Sequence, residues 1–159
     1  MNKKRISNIL FYGGIAAVLL FFYLRYKVAP NLELSSIQVA VSRGEKTNLD
    51  QLYQGSQIIH FYASWCGPCM RELPELVAYS KETNTPLTLV TDDAWEKIEA
   101  LKTRYGVKIV RVESLKDIGV YSIPLTYFVN SANTITRKQL GEVQWQDATA
   151  RQEIKTNLH

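Results

Sequence analysis

Two cysteines stand two residues apart in a chain of 159 residues, Cys66 and Cys69 around Gly67-Pro68. A bridge between them closes almost no loop, so it adds little stability by restricting the unfolded chain. Their value lies in reactivity. The thiolate is the attacking form of a cysteine. At a helix start, unpaired backbone N–H groups and the helix dipole favour an anion, which would draw the Cys66 pKa from about 8.5 toward roughly 7 or below. Pro68 suits that first turn, since the N–H it lacks would be unpaired there anyway. Cys69 lies one turn further in, within reach of Cys66. The chemistry this allows is exchange: Cys66, the more exposed thiol, attacks a disulfide, and Cys69 resolves the mixed disulfide by attacking Cys66. Run backwards, the same steps oxidise a dithiol.

The same spacing suits zinc, but zinc needs two more ligands. Only His60 and His159 are available, one in an expected buried strand and the other at the chain end. A c-type haem site is excluded because Met70 stands where a histidine is required. The expectation is no metal and no cofactor beyond the redox-active Cys66–Cys69 disulfide.

To hold Cys66 at a helix start, a strand must end just before it. Gln57–Tyr62 is a compact apolar and aromatic run suited to a buried central strand. A helix is expected from Cys66 to about Asn84, kinked at Pro74. Ile37–Val41 alternates like a strand, and Asn48–Tyr53 fits a helical turn. Leu87–Thr91 reads as a second buried strand, and Ala94–Tyr105 as an amphipathic helix closed by Gly106. Lys108–Val112 follows as a strand, then one or two helical turns over Ser114–Gly119. Leu125–Asn130 and Thr134–Leu140 make a hairpin signal, and Gln146–Leu158 a last helix. The pattern predicts an α/β domain with a central mixed sheet flanked by helices.

Residues 1–27 hold five positive side chains and no acid, leaving 14 basic against 15 acidic side chains elsewhere. The basic pI therefore belongs to the N-terminus. A nucleic-acid binder needs a basic face on the domain itself, so nucleic acid is not an expected partner. Ile6–Leu24 is a run of 19 uncharged residues, long enough as a helix of about 1.5 Å rise per residue to span most of a bilayer core of about 30 Å. Tyr23 and Tyr26 fall where an aromatic belt would lie. A cleaved signal peptide shares the charged start, but Arg25-Tyr26-Lys27 leaves no small-x-small cleavage site. A buried core helix would need a polar face to meet water. The expected organisation is a transmembrane signal-anchor over 1–27, a tether over 28–36 and a folded domain over 37–159. The positive-inside rule puts the N-terminus in the cytoplasm and the domain outside, on the periplasmic or extracytoplasmic side of the inner membrane.

Trp65-Cys66-Gly67-Pro68-Cys69 resembles the thioredoxin active site. The run from Phe61 through Cys69 to Met70-Arg71-Glu72-Leu73-Pro74-Glu75-Leu76 resembles the TlpA/ResA-like branch of membrane-tethered thioredoxins, which the Glu-x-Pro-x-Leu tail marks. Gly119-Val120-Tyr121-Ser122-Ile123-Pro124-Leu125-Thr126 is similar to the loop that carries a cis-proline facing the active site in that family. The resemblance covers about Ser42 to Leu140 and implies a thioredoxin-like fold with an added N-terminal strand. Tyr62 in place of the usual tryptophan, Tyr127 before Phe128, and the lack of a clear helical insertion depart from the pattern.

The resemblance implies reductant delivery to oxidised proteins outside the membrane, apocytochrome c among them, with an integral-membrane thiol carrier as electron donor. The protein is expected to act as a monomer. Pro124, if cis, would leave the Ile123 backbone free to pair with a substrate strand; the alternative is a trans proline opening a strand. Ile123 is bulky and apolar, as in reducing members. Glu72 lies three residues after Cys69 on one helical face; it is either the carboxylate that takes the Cys69 proton, as in family members, or a solvated acid. His60 stands where thioredoxin buries an acid, as a proton acceptor or a core histidine bonded to backbone. Trp65 either shields Cys66 or packs. The rival functions are a disulfide oxidase or isomerase using the same site, and a binding or assembly module.

Overall fold

The computed structural model describes residues 3–27, 29–52 and 54–158, with side chains from residue 8 to 24 in the first segment. Helix α1 spans Lys3–Lys27. Its described apolar side chains are exposed, among them Leu10, Phe11, Leu19 and Phe21. Among the described residues no helix is long and apolar enough to cross a membrane. The run Ile6–Leu24 extends past the described side chains of α1, and those of Arg25, Tyr26 and Lys27 lie outside them, as does His159.

The rest of the chain builds one seven-stranded sheet. Its strands are β1 (Gln38–Ser42), β2 (Glu45–Asn48), β3 (Gln57–Phe61), β4 (Leu87–Thr91), β5 (Lys108–Arg111), β6 (Leu125–Val129) and β7 (Ile135–Leu140), in the order β2-β1-β5-β4-β3-β6-β7. β3 runs parallel to β4 and antiparallel to β6. β3, β4 and β6 have no exposed side chain, as expected of strands covered on both faces. Helices α2 (Gly67–Thr83), α3 (Trp95–Tyr105) and α4 (Ala148–Leu158) complete the domain. The mixed sheet with flanking helices is the α/β fold the sequence pattern predicts.

Side chains alternate across β3 with period two. Ile58 and Tyr62 join one core cluster with Cys69, Leu73, Leu76 and Trp145, whereas Ile59 and Phe61 join the other with Tyr127 and Val90. His60 shares the parity of Ile58 and Tyr62, so it lies beneath α2.

Several elements differ from expectation. β2 is an extra strand of sequence Glu-Lys-Thr-Asn, paired antiparallel to β1 at the sheet edge; it has no apolar alternation to announce it. Residues 115–119 form turns and not a helix: Gly119 takes φ 88 and the Val120 N–H returns to Leu115 O at 2.9 Å. α2 continues through Pro74. α4 begins two residues later than expected, where the Asp147 carboxylate caps it by accepting the Ala150 N–H at 2.8 Å.

Residues 29–36, expected as a tether, lie against the domain. Leu34–Ser36 forms a 3₁₀ turn with Leu34 buried. Ala29 and Leu32 pack on the second cluster, and Tyr127 donates its hydroxyl to Pro30 O at 2.6 Å. Leu34→Ala should therefore cost about 2–3 kcal/mol in urea unfolding, where a substitution in a free tether would cost nothing.

Candidate active site

β3 delivers the chain to Ala63, and hydrogen bonds fix the loop beyond it. The Ser64 N–H and Oγ both donate to the Asp93 carboxylate, at 2.7 and 2.9 Å, and Lys97 Nζ donates to Ser64 Oγ at 2.9 Å. Asp93 comes from the end of β4, the parallel neighbour of β3, so the loop is clamped from the adjacent strand. The Cys66 N–H then closes on Ala63 O at 3.0 Å.

Cys66 is the N-cap of α2, in extended conformation at φ −80, ψ 102. Its Sγ accepts the Cys69 N–H at 3.3 Å, and the two cysteines form a disulfide of 2.02 Å. Pro68 occupies the first turn. Cys66 is 5% exposed and Cys69 fully buried, which gives the two sulfurs different access to a partner. Gly67 and Pro68 are exposed beside them. Trp65, 74% exposed, is the large apolar side chain the described domain leaves uncovered, so packing is not its role. The Ile123–Pro124 bond is cis, with Ile123 half-buried and packed on both core clusters.

Behind Cys69 lies a buried polar group. Glu72 is 4% exposed, which removes the reading of a solvated acid. Its Oε2 accepts the Val143 N–H at 2.8 Å and its Oε1 faces His60 Nε2 at 3.4 Å. Burial raises the Glu72 pKa from 4.5 to about 7; hydrogen bonds from the Val143 N–H and the Trp145 side chain pull it down, and Glu142 and Glu75 push it up. His60 is fully buried, and burial lowers its pKa from 6.5 to about 3, so it is neutral near pH 7. Its Nδ1 pairs with Thr126 Oγ1 at 2.9 Å, a side chain and not backbone. Burial, then the charge of Asp93, hold the Tyr62 phenol above its ordinary range. Arg71 is a surface charge, paired with Glu142 at 3.2 Å.

The structure thus brings Cys66, Cys69, Glu72 and His60 together. Thr126, Asp93, Val143 and Trp145 complete the site, and sequence reasoning misses them. Only Asp93 carries a signal, as the second acid of the Asp92-Asp93 pair that follows a buried strand. Among the described residues no group of three or more His, Cys, Asp or Glu is placed to hold a metal ion.

The sequence profile of the thioredoxin family matches residues 41–144. The thiol-disulfide oxidoreductase ResA of Bacillus cereus (strain ZK / E33L) is 26% identical over 125 residues, covering 73% of this chain and 69% of its own. The chloroplastic thioredoxin Y of Oryza sativa subsp. japonica is 28% identical over 88 residues, which are 54% of this chain and 52% of its own, so the chain spans about half the length of that relative. Among solved structures, StoA from Bacillus subtilis superposes with a TM-score of 0.52 at 22% identity, covering 80% of this chain and 96% of that one; at that identity the likeness shows the fold.

The buried carboxyl gives a pH signature. A carboxyl whose folded pKa is raised favours the protonated native state, so its stabilising effect is lost as pH rises from about 4.5 to about 7. Glu72→Gln should gain stability relative to the native protein across that window and hold a constant advantage above it, as read by urea unfolding at stepped pH. His60 acts in the opposite direction between about 3 and 6.5, and the comparison with Glu72→Gln separates the two.

A helix-capping cysteine bonded to a buried second one, with the matched profile across most of the domain, places this chain in the thioredoxin family.

Proposed function

We propose that this chain is a membrane-anchored protein-disulfide reductase acting on the outer side of a cytoplasmic membrane. The observation that carries the reading is the Cys69 N–H aimed at Cys66 Sγ at the N-cap of α2. With the pair reduced, that donor and the helix terminus hold negative charge on Cys66. The thiolate attacks a substrate disulfide; one sulfur joins Cys66 and the other leaves as a thiolate that takes a proton from solvent. Glu72 removes the proton of Cys69. The Cys69 thiolate attacks Cys66, the Cys66–Cys69 bond forms, and the second substrate sulfur leaves. Two electrons have passed from the dithiol to the substrate. Exposed Trp65, Gly67 and Pro68 with the Ile123 backbone form the surface against which a substrate strand rests.

The direction of flow rests on Gly67-Pro68 between the cysteines and on bulky Ile123, both of which resemble reducing members of the family. The substrates are oxidised extracytoplasmic proteins, with apocytochrome c as one class. Reducing equivalents come from an integral-membrane thiol carrier. The anchor reading is supported by the uncharged run Ile6–Leu24 and by the exposed apolar side chains of α1, which water would not favour.

The reduction potential of the pair against glutathione tests the direction. A value near roughly −270 mV is expected, and one near roughly −120 mV would make the protein an oxidant. Cys66→Ser should abolish turnover, whereas Cys69→Ser should accumulate mixed disulfides with cellular proteins, visible as adducts that dithiothreitol releases. Absence of such adducts would count against the two-step exchange. The full chain should stay with membranes through alkaline carbonate washing, and release by that wash would remove the anchor.

A further inference from the structure

Two buried polar atoms face each other behind the disulfide. His60 Nε2 and Glu72 Oε1 are 3.4 Å apart, and neither closes a hydrogen bond among the described residues, although the Trp145 indole N–H also lies near the Glu72 carboxyl and favours its charged form. The opposite atom of each is committed. Glu72 Oε2 accepts the Val143 N–H, and His60 Nδ1 pairs with Thr126 Oγ1. Three elements converge here: His60 on β3, Thr126 directly opposite it in the register of β6, and Glu72 on α2.

The commitments decide where protons sit. Because Oε2 receives an N–H, the proton of an uncharged Glu72 must lie on Oε1, pointing at Nε2. Nε2 must then be the bare nitrogen, and Nδ1 carries the ring hydrogen and donates it to Thr126 Oγ1. When Glu72 is ionised, a bare Nε2 against a carboxylate would be repulsive. A hydroxyl both donates and accepts, so Thr126 can turn and donate to Nδ1, while Nε2–H donates to Oε1. Each charge state of Glu72 has its own fully paired arrangement.

We propose that Thr126, His60 and Glu72 form a tautomer switch, in which His60 is a positioning residue that carries its ring hydrogen on Nδ1 while Glu72 is protonated and on Nε2 while Glu72 is a carboxylate. The switch lets a carboxyl change charge inside the core without leaving a polar atom unpaired, which burial would otherwise penalise. This rests on the reading that Glu72 takes the Cys69 proton during resolution. The transfer balances as one proton: Cys69–SH and Glu72 carboxylate become Cys69 thiolate and Glu72 acid, and the histidine stays neutral throughout. The low pKa of His60 agrees with that neutrality. The other charges near the group are Glu75 on α2 and Glu142 on the segment after β7, both raising the Glu72 pKa, with Arg71 paired to Glu142. Asp93 and Lys97 engage Ser64 and the Tyr62 end of β3.

The test is ¹⁵N spectroscopy of the His60 ring in the oxidised full-length protein, titrated alongside the infrared carboxylic-acid band of Glu72, which is assigned by its loss in Glu72→Gln. The ring hydrogen should move from Nδ1 to Nε2 with the same midpoint as the carboxyl, about 7. Thr126→Val, nearly isosteric, removes the acceptor for Nδ1–H; Nε2 should stay protonated and the Glu72 midpoint should fall by one unit or more, a tenfold change in its acid–base ratio. Thr126→Ser should restore it. A ring protonated on one nitrogen across the whole titration would overturn the switch, as would an unmoved midpoint in Thr126→Val. If the native protein failed to exchange with glutathione, the exchange reading would fall instead, and the ring nitrogens would still decide the switch.

Discussion

Where β3 ends and α2 begins, the chain passes within a few residues from a strand with no exposed side chain to a helix whose third amide is aimed at a sulfur. Everything else in the domain serves to hold that junction still. β3 is paired on both sides, parallel to β4 and antiparallel to β6, so it cannot slip without moving two neighbours. The loop after it is tied to Asp93 through both its amide and its hydroxyl. A helix N-terminus acts on charge only within its first turn, so a loosely held Cys66 would lose the effect. The clamp from β4 is therefore part of the sulfur's environment as much as the helix is.

The same rigidity creates a difficulty. Water is excluded from fully buried Cys69, the thiol that must ionise in the second step of the proposed exchange. An ion pair at that depth would carry a desolvation cost of several kcal/mol per charge. Burial instead disfavours charge on both groups behind Cys69: His60 is pushed down to about 3 and stays neutral, and Glu72 is pushed up to about 7, where it readily takes a proton. A carboxyl poised near neutrality can take a proton and give it back with little driving force in either direction, which suits general acid–base work. Exchange chemistry runs both ways, so this poise serves reduction and oxidation alike. The direction of flow must then be set elsewhere, by the balance between disulfide and thiolate at Cys66.

The sequence shows the parts of this arrangement that are local. β3, β4 and β6 are legible because strands covered on both faces are continuous apolar runs, and α2 because Cys66, Pro68 and Asn84 mark its ends. The site cysteines are legible for the same reason, since motif, strand and helix are contiguous. What sequence does not show is contact across distance. Glu72 reads equally as a solvated acid until the segment with Val143 and Trp145 folds over it. Thr126 is an ordinary strand residue until the β3–β6 register sets it opposite His60. β2 has no apolar alternation because it is a polar edge strand held by one backbone ladder. Residues 29–36 show no periodicity because their packed positions, Ala29, Leu32 and Leu34, are irregularly spaced, while Asn31, Glu33, Ser35 and Ser36 are exposed.

That last segment changes how the domain sits relative to α1. A free stretch of eight residues would let the domain wander over tens of ångströms, since a flexible linker explores roughly 5–6 Å times the square root of its length. Here Pro30 is bonded to Tyr127 on β6, Leu32 lies 3.4 Å from where a side chain on Gly119 would begin, and Leu34 is in the core. Ala29 already packs on the domain, two residues after α1 ends at Lys27, so little chain is left to act as a spacer. Gly119 belongs to the turn that leads into Ile123–Pro124, and Tyr127 follows it on β6, so the docked segment runs along the element that supplies one wall of the site. Under the anchoring proposed for α1, the active site would be tied close to the bilayer. It would meet partners that reside in or at the membrane at a high effective concentration, the advantage any short tether confers. The membrane thiol carrier proposed as electron donor would share that placement, whereas a soluble donor would not.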